Sequence, residues 1–197
     1  MPQVLNAEET RKTYFGEKAQ VYDRENEHTD KRYRERAAVR EFLSRVPPVA
    51  SVLDIPVGTG TFLSLYHELG IDFAGMDVSE EMLAQARAKA PEAPIANGDI
   101  LSIRVCSRTF DAVVCIRLMA LIDQDSMIKA VQEMGRVARD RIIISLYTGP
   151  VQERHNRHFV HLESAFAEAA LSRGFVETAH RFVNDRGYRV ALLERCG

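Results

Sequence analysis

The sequence predicts an α/β protein built on a doubly wound, mostly parallel sheet of seven strands, preceded by a helical N-terminal segment. Three observations carry this. From Asp54 onward, short apolar runs alternate with helical segments five times, the order that winds a parallel sheet. The run Ser51-Val52-Leu53-Asp54-Ile55 passes into two glycines, Gly58 and Gly60, and then an amphipathic segment, a strand–turn–helix join. Near its end the chain has two apolar runs around Asn184-Asp185-Arg186-Gly187, a hairpin that inserts one antiparallel strand.

Composition sets the class. A chain of 197 residues with 46% hydrophobic and 27% charged residues is expected to form a single domain over 1–197, with a helical cap at 1–48 and a core at 49–197. A net charge of −2 gives no basic excess, so nucleic acid is not an expected partner. No apolar run approaches the length of about 18 residues that a membrane span needs. The start, MPQVLNAEET, lacks a signal-peptide core. Cys106, Cys115 and Cys196 form no C-x-x-C pair and read as reduced thiols of a cytoplasmic protein. No spacing suggests a metal site, and oligomeric state has no signature in the sequence.

The elements follow in order. Asn6 with Glu9 makes a capping box before a helix over residues 8–25, which carries Tyr14, Phe15, Ala19, Val21 and Tyr22. A second helix over 30–45 has the stripe Val39, Phe42, Leu43, Val46 and stops at Pro47-Pro48; Arg32, Arg34 and Arg36 read as its solvated face. After the glycine turn comes a short helix over 61–69, closed by Gly70. A strand at 73–76 ends in Asp77, and Ser79 caps a helix with Glu80 and Glu81 in its first turn and Met82, Leu83, Ala86 and Ala90 inward. A third strand at 94–97 precedes Gly98-Asp99-Ile100, and a fourth covers 110–116. A helix over 124–138, a link at 137–141 and a fifth strand at 142–147 come next. Residues 148–158 read as a loop, His161 as the start of a helix closed by Gly174, and 175–183 and 188–193 as the closing strands.

A strand, a glycine turn and a helix bring backbone N–H groups up to a ligand, or form a plain turn with none. A phosphate loop requires Gly-Lys-Ser/Thr, whereas this chain has Gly60-Thr61-Phe62. A dinucleotide turn requires a third glycine, and Leu63 stands there. Asp54, at the end of the strand, suits a ligand with a cationic end and repels a pyrophosphate. Asp77 lies 19 residues beyond Gly58, at the tip of the second strand. It is either a carboxylate for a ribose diol or an exposed residue before a helix. Arg117, at the tip of the fourth strand, pairs either with a carboxylate on a substrate or with an acidic side chain nearby.

The stretch Asp54 to Gly60 resembles the first motif of class I S-adenosylmethionine-dependent methyltransferases, with Pro56 in place of its first glycine. Asn97-Gly98-Asp99-Ile100 and Phe110-Asp111-Ala112-Val113-Val114-Cys115-Ile116 are similar to later motifs of that family, and the resemblance covers residues 50–197. It implies a Rossmann-like methyltransferase fold, S-adenosyl-L-methionine as cofactor, and a methyl group moved by in-line displacement to a small-molecule acceptor. The implied cofactor residues are Asp54 at the amino end, Pro56, Gly58 and Gly60 in the turn, Asp77 on the ribose, and Asp99 and Ile100 on the adenine. Val78, Met82, Cys115 and Ile116 complete that set. The run Tyr14 to Asp23 resembles a lid that precedes the core in small-molecule members, so the N-terminal helices either pack plainly or cover the acceptor. Tyr14, Tyr22, Arg117, His155 and His158 are the candidate acceptor residues.

No catalytic base is identifiable. Many members have two histidines where Ala120 and Leu121 stand here, and many have a Pro-Gly-Gly turn where this chain has residues 137–141. The Asn/Asp-Pro-Pro-Tyr of nucleic-acid amino-methylating enzymes is absent, and Cys115, with no preceding proline, reads as a buried strand cysteine. Two alternatives stay open: a non-catalytic module that binds S-adenosylmethionine or S-adenosylhomocysteine, and an NAD-dependent oxidoreductase, against which Leu63 and Asp99 speak.

Overall fold

The structure, a computed structural model, describes residues 29–155 and 158–197. The expected helix over 8–25, with Tyr14 and Tyr22, lies outside the described residues.

The first described helix, α1 (Asp30–Leu43), starts at Thr29, whose side chain accepts from Arg32 N–H. Ala38, Val39, Phe42 and Leu43 form its buried stripe, but Val46 lies beyond the helix end and is exposed. The arginines are not one solvated face. Arg34 is exposed, Arg32 is buried, and Arg36 joins Arg40 on Glu68, tying α1 to the helix after the glycine turn. The period of the pattern located the helix, whereas partners from distant elements decided which arginines face solvent.

The core follows in sequence: β1 (Ser51–Asp54), α2 (Leu63–Glu68), β2 (Asp72–Asp77), α3 (Glu80–Lys89), β3 (Ile95–Asn97) and β4 (Phe110–Cys115). Then come α4 (Gln124–Val137), β5 (Ala138–Gly149), β6 (Glu153–His155), β7 (His158–Leu162), α5 (Glu163–Leu171), β8 (Phe175–Phe182) and β9 (Tyr188–Arg195). The parallel order is β3-β2-β1-β4-β5. Antiparallel β9 lies beside β5, with β8 outside it, which completes the seven expected strands.

Alternating residues bury into opposite layers. Val52, Val114, Ile143, Val190 and Leu192 face a layer that includes α1, α2 and α3. Leu53, Val113, Ile142, Ile144 and Leu193 face α4 and α5. Helices on both faces explain why these strands read as continuous apolar runs rather than as half-polar ones.

Three stretches differ from the sequence reading. Residues 138–141 are already strand, because β5 leaves α4 at Ala138 without a link. Residues 148–158 are not one continuous loop: β5 runs to Gly149, and β6 and β7 form a hairpin whose β7 pairs in parallel with the end of β5. His161 belongs to β7 rather than to a helix start. Phe159 and His161 are both buried, a period of two that is easily absorbed into the helical pattern that follows.

Candidate functional site

The C-terminal ends of β1, β2 and β4, together with the turn after β3, surround a cavity of about 160 Å³. This is the end of an open α/β sheet where ligands bind. Its walls include Pro56, Gly58, Asp77, Val78, Met82, Asp99, Ile100, Ile116 and Arg117. Three expected residues, Asp54, Gly60 and Cys115, are not on the wall.

The turn is held by its backbone. Ile55 N–H reaches Val114 O at 2.9 Å and Val57 N–H reaches Met76 O at 2.8 Å, which pins the turn between β4 and β2. Gly75 allows that approach, since a Cβ there would lie 2.9 Å from Val57. Gly58 and Gly60 have φ of +55° and +81°, the region that L side chains rarely adopt. A Cβ on Gly60 would sit 2.7 Å from Leu63 Cδ1, so Gly60 serves the packing of the turn on α2 instead of the cavity wall. Pro56 lies on the wall and gives the turn no N–H.

Asp77 is 7% exposed. Its Oδ2 accepts from Gly58 N–H at 2.9 Å and its Oδ1 from Ser79 N–H at 3.0 Å. It therefore links the turn, β2 and the start of α3. Burial raises its pKa, and the backbone bonds oppose that rise. Asp99 Oδ1 accepts from Leu101 N–H at 3.0 Å, and Ile100 beside it is buried.

Asp54 lies behind the wall, 1% exposed, and its Oδ2 accepts from the hydroxyl of Tyr66 at 3.0 Å. Its pKa is pushed up to about 8, by burial first; the Tyr66 bond pulls it down, and the charge of Asp77 adds to the rise. In the sequence Tyr66 is only an inward residue of a short helix. Cys115 is fully buried against the α4 and α5 layer, and burial raises its thiol well above the usual range.

Arg117 closes one end of the cavity, and it too has a positive φ, 75°. Its N–H bonds Ser145 Oγ at 2.6 Å, and Ser145 Oγ in turn lies 2.7 Å from the hydroxyl of Tyr188. Its Nε donates to Glu35 Oε2 at 2.8 Å, and Nη2 reaches the same oxygen. Of the two partners open in the sequence, the structure gives Arg117 the acidic side chain of α1. Lys31, one turn earlier on α1, has Nζ 4.4 Å from the centre of the Tyr188 ring. Glu35 and Tyr188 carried no signal in the sequence, because they are linked to Arg117, directly or through Ser145, only by long-range packing.

The histidines divide. His158 is exposed, with its ring 5.8 Å from that of Tyr147. The backbone of His155 pairs with that of His158 across the β6–β7 hairpin, on the strand extension. His161, which the sequence reading gave no role, is buried with Nε2 2.7 Å from Met119 O. It fixes the short 3-10 turn Met119–Leu121 beside Leu118, Leu121 and Ile122, which form the apolar wall that the sequence reading missed. Burial lowers its pKa. Among the described residues no group of His, Cys, Asp and Glu is arranged to hold a metal. No described helix is long and apolar enough to cross a membrane.

Comparison with known proteins agrees with this geometry. The family described as "Methyltransferase domain" matches residues 52–141. A dTDP-3-amino-3,4,6-trideoxy-alpha-D-glucopyranose N,N-dimethyltransferase of Streptomyces venezuelae is 36% identical over 92 residues, 47% of this chain and 36% of that protein. A dTDP-4-amino-2,3,4,6-tetradeoxy-D-glucose N,N-dimethyltransferase of Saccharopolyspora spinosa is 25% identical over 187 residues, 84% of this chain and 73% of that protein. The chain thus spans about a third of the first relative's length. In fold, it is similar to magnesium protoporphyrin IX methyltransferase from Synechocystis PCC 6803 with bound SAH, with a TM-score of 0.74 at 16% identity over 93% of this chain and 97% of that one.

Proposed function

We propose that the chain is a class I S-adenosylmethionine-dependent methyltransferase that moves a methyl group from S-adenosylmethionine to a small-molecule acceptor by in-line displacement, a reading supported by the methyltransferase-domain match over residues 52–141 and by the similarity to sugar N,N-dimethyltransferases. The observation that carries this reading is the convergence of Gly58, Asp77, Asp99 and Ile100, from three separate strand tips, on one cavity. The residues fit an adenosine-bearing cofactor, with an apolar slot between Met82, Ile100 and Ile116 flanked by two carboxylates. When bound, the cofactor supplies a sulfonium-activated, electrophilic methyl group.

The chain's residues divide the work. Met82, Ile100 and Ile116 take the faces of the adenine, and Asp99 accepts from its amino group. Asp77 takes the ribose. A carboxylate has about four acceptor sites, so the amides of Gly58, Ser79 and Val78 leave Asp77 little spare capacity. Accepting both ribose hydroxyls requires Gly58 N–H to turn away, a rotation that a residue without a Cβ permits. Asp54, behind the wall, meets the cationic amino end through its field or through water, and ionises as that cation arrives. Leu118, Leu121 and Ile122 exclude water from the methyl group.

Among the described residues on the cavity wall the titratable groups are Asp77, Asp99 and Arg117, and the first two belong to the cofactor side. An amine, thiolate or carboxylate acceptor needs no proton removed before attack, and the amine acceptors of the two sugar N,N-dimethyltransferases agree with this. We take the acceptor to enter from the Arg117 end, with Tyr14 and Tyr22 as lid residues and His155 and His158 on the flanking hairpin. The single domain over 1–197, a cytoplasmic location supported by three free thiols, and the absence of a nucleic-acid partner belong to the same proposal. An acceptor screen with methyl-labelled cofactor tests it: label in a small amine supports the reading, and cofactor binding with no labelled product from any acceptor class supports a binding module instead.

A further inference from the structure

The apolar side of the cavity is held by residues that do not line it. Ladder pairing of β4 with β5 ends at Cys115 and Ile144. The segment that follows supplies Ile116, Arg117, Leu118, Leu121 and Ile122 to the wall. Beyond the ladder, side chains tie its backbone. Arg117 N–H donates to Ser145 Oγ on β5 at 2.6 Å, and Met119 O lies 2.7 Å from His161 Nε2 on β7. The next residue of β7, Leu162, donates its N–H to Gln124 Oε1 at 3.0 Å, at the start of α4. Residues 161 and 162 thus bracket the turn from both ends. A 3-10 turn of three residues is a weak structure alone, so its place depends on such ties. Because β7 belongs to the hairpin that the chain adds beyond its seven-strand plan, an added element braces this wall.

His161 is fully buried. A carbonyl only accepts, so the ring carries its proton on Nε2 and leaves a lone pair on Nδ1. Among the described residues nothing bonds that buried Nδ1. Burial lowers the pKa of the ring, against the Met119 bond and the field of Asp123, and so favours the neutral form. A leucine or phenylalanine would fill the space without an unsatisfied nitrogen, so packing alone does not account for a histidine here. Its bond to the turn does.

We propose that His161 is a positioning residue of the cavity: through Met119 O it sets where Leu118, Leu121 and Ile122 stand, and so keeps the cavity in the shape that receives the cofactor and shields the methyl group. This deepens the methyl-transfer reading and rests on it. Without the bond, Met119 O loses that partner inside the core and the turn shifts. Affinity is then reduced by the fraction of molecules whose wall remains in place. A buried carbonyl that loses its donor moves that balance by roughly tenfold or more.

The test uses the full chain and S-adenosylhomocysteine. Calorimetry gives the affinity, and amide hydrogen exchange follows residues 118–122, both well below the thermal midpoint. Glutamine carries its amide where histidine has Nε2, so His161→Gln keeps the donor and His161→Leu removes it. We expect His161→Leu to bind at least tenfold more weakly and to exchange these amides at least tenfold faster, with His161→Gln within threefold of wild type in both. Phe175→Leu, a buried change at the start of β8, loses stability but stays within twofold of wild type in affinity. Wild-type affinity or wild-type exchange in His161→Leu overturns the proposal. So does a glutamine variant as weak as the leucine one, or an equal loss in Phe175→Leu. If His161→Leu does not fold, His161→Asn, whose amide falls at Nδ1 and not at Nε2, takes its part with the same expected loss. Nitrogen NMR of the wild type gives an independent reading: a proton on Nε2 of a neutral ring at pH 7 agrees, and a proton on Nδ1 overturns the bond. A wild type that does not bind S-adenosylhomocysteine removes the methyl-transfer reading and this proposal with it, whereas normal wild-type binding beside an unchanged His161→Leu removes the proposal alone.

Discussion

Asp54→Asn separates the charge of the β1 tip from its shape. Asn fills the same space and still accepts from the Tyr66 hydroxyl, but it cannot ionise. In the folded protein Asp54 is raised from 3.8 to about 8. Below pH 4 both the folded and the unfolded chain hold the proton, and Asp54 costs nothing. Between pH 4 and pH 8 the unfolded chain loses the proton while the folded chain keeps it, so stability falls as pH rises. Each pH unit in that interval is worth about 1.4 kcal/mol. From pH 5 to pH 8 the wild type should therefore lose on the order of 4 kcal/mol relative to Asp54→Asn. Asp77 and the other carboxylates are present in both proteins and cancel to first order. Urea unfolding of the pair at pH 5, 6, 7 and 8 reads the difference directly. A difference that stays flat, or that moves in favour of wild type as pH rises, would falsify the assignment of Asp54 as a buried acid that holds its proton in the free protein.

Three further outcomes follow from the same geometry. Glu35→Ala removes the buried carboxylate from Arg117 and should cost about 3 kcal/mol, with partial recovery in Glu35→Met/Arg117→Met; equal stability of Glu35→Ala and wild type in urea would deny the pair its structural role. Asp77→Ala should weaken S-adenosylhomocysteine binding by roughly ten- to a hundredfold, the loss of one or two charge-assisted bonds, and an unchanged calorimetric affinity would remove Asp77 from the site. Gly60→Ala should destabilise by about 1–2 kcal/mol through its positive φ, since Leu63 Cδ1 can swing aside, and a neutral effect on the thermal midpoint would show that the turn relaxes to another conformation.

What was readable in the sequence was local. Strands buried on both faces announce themselves as unbroken apolar runs, as at Val113-Val114-Cys115-Ile116, and glycines mark positive φ, as at Gly58, Gly70 and Gly174. The meeting of Asp77 and Asp99 on one cavity was legible for the same reason: Asp77 ends β2, Asp99 follows the end of β3, and the topology brings strand ends together. What stayed hidden depends on contacts between distant segments. Glu35 and Arg117 lie 82 residues apart, and nothing local marks either as a partner of the other. Asp54 was expected at the amino end of the ligand, in direct contact or through water, and nothing local told that it lies behind the wall, buried and bonded to Tyr66. Residues 148–162 failed differently: the β6–β7 hairpin contains few β-branched residues and no tight-turn dipeptide, so its alternation was outweighed by the helix beyond it.

The central claim is that three strand tips form one S-adenosylmethionine site. Calorimetric titration of the purified chain with S-adenosylhomocysteine, beside NAD as a control, tests it most directly. The account predicts saturable binding of S-adenosylhomocysteine at one site per chain and no heat of binding with NAD. Binding of NAD without S-adenosylhomocysteine would contradict it.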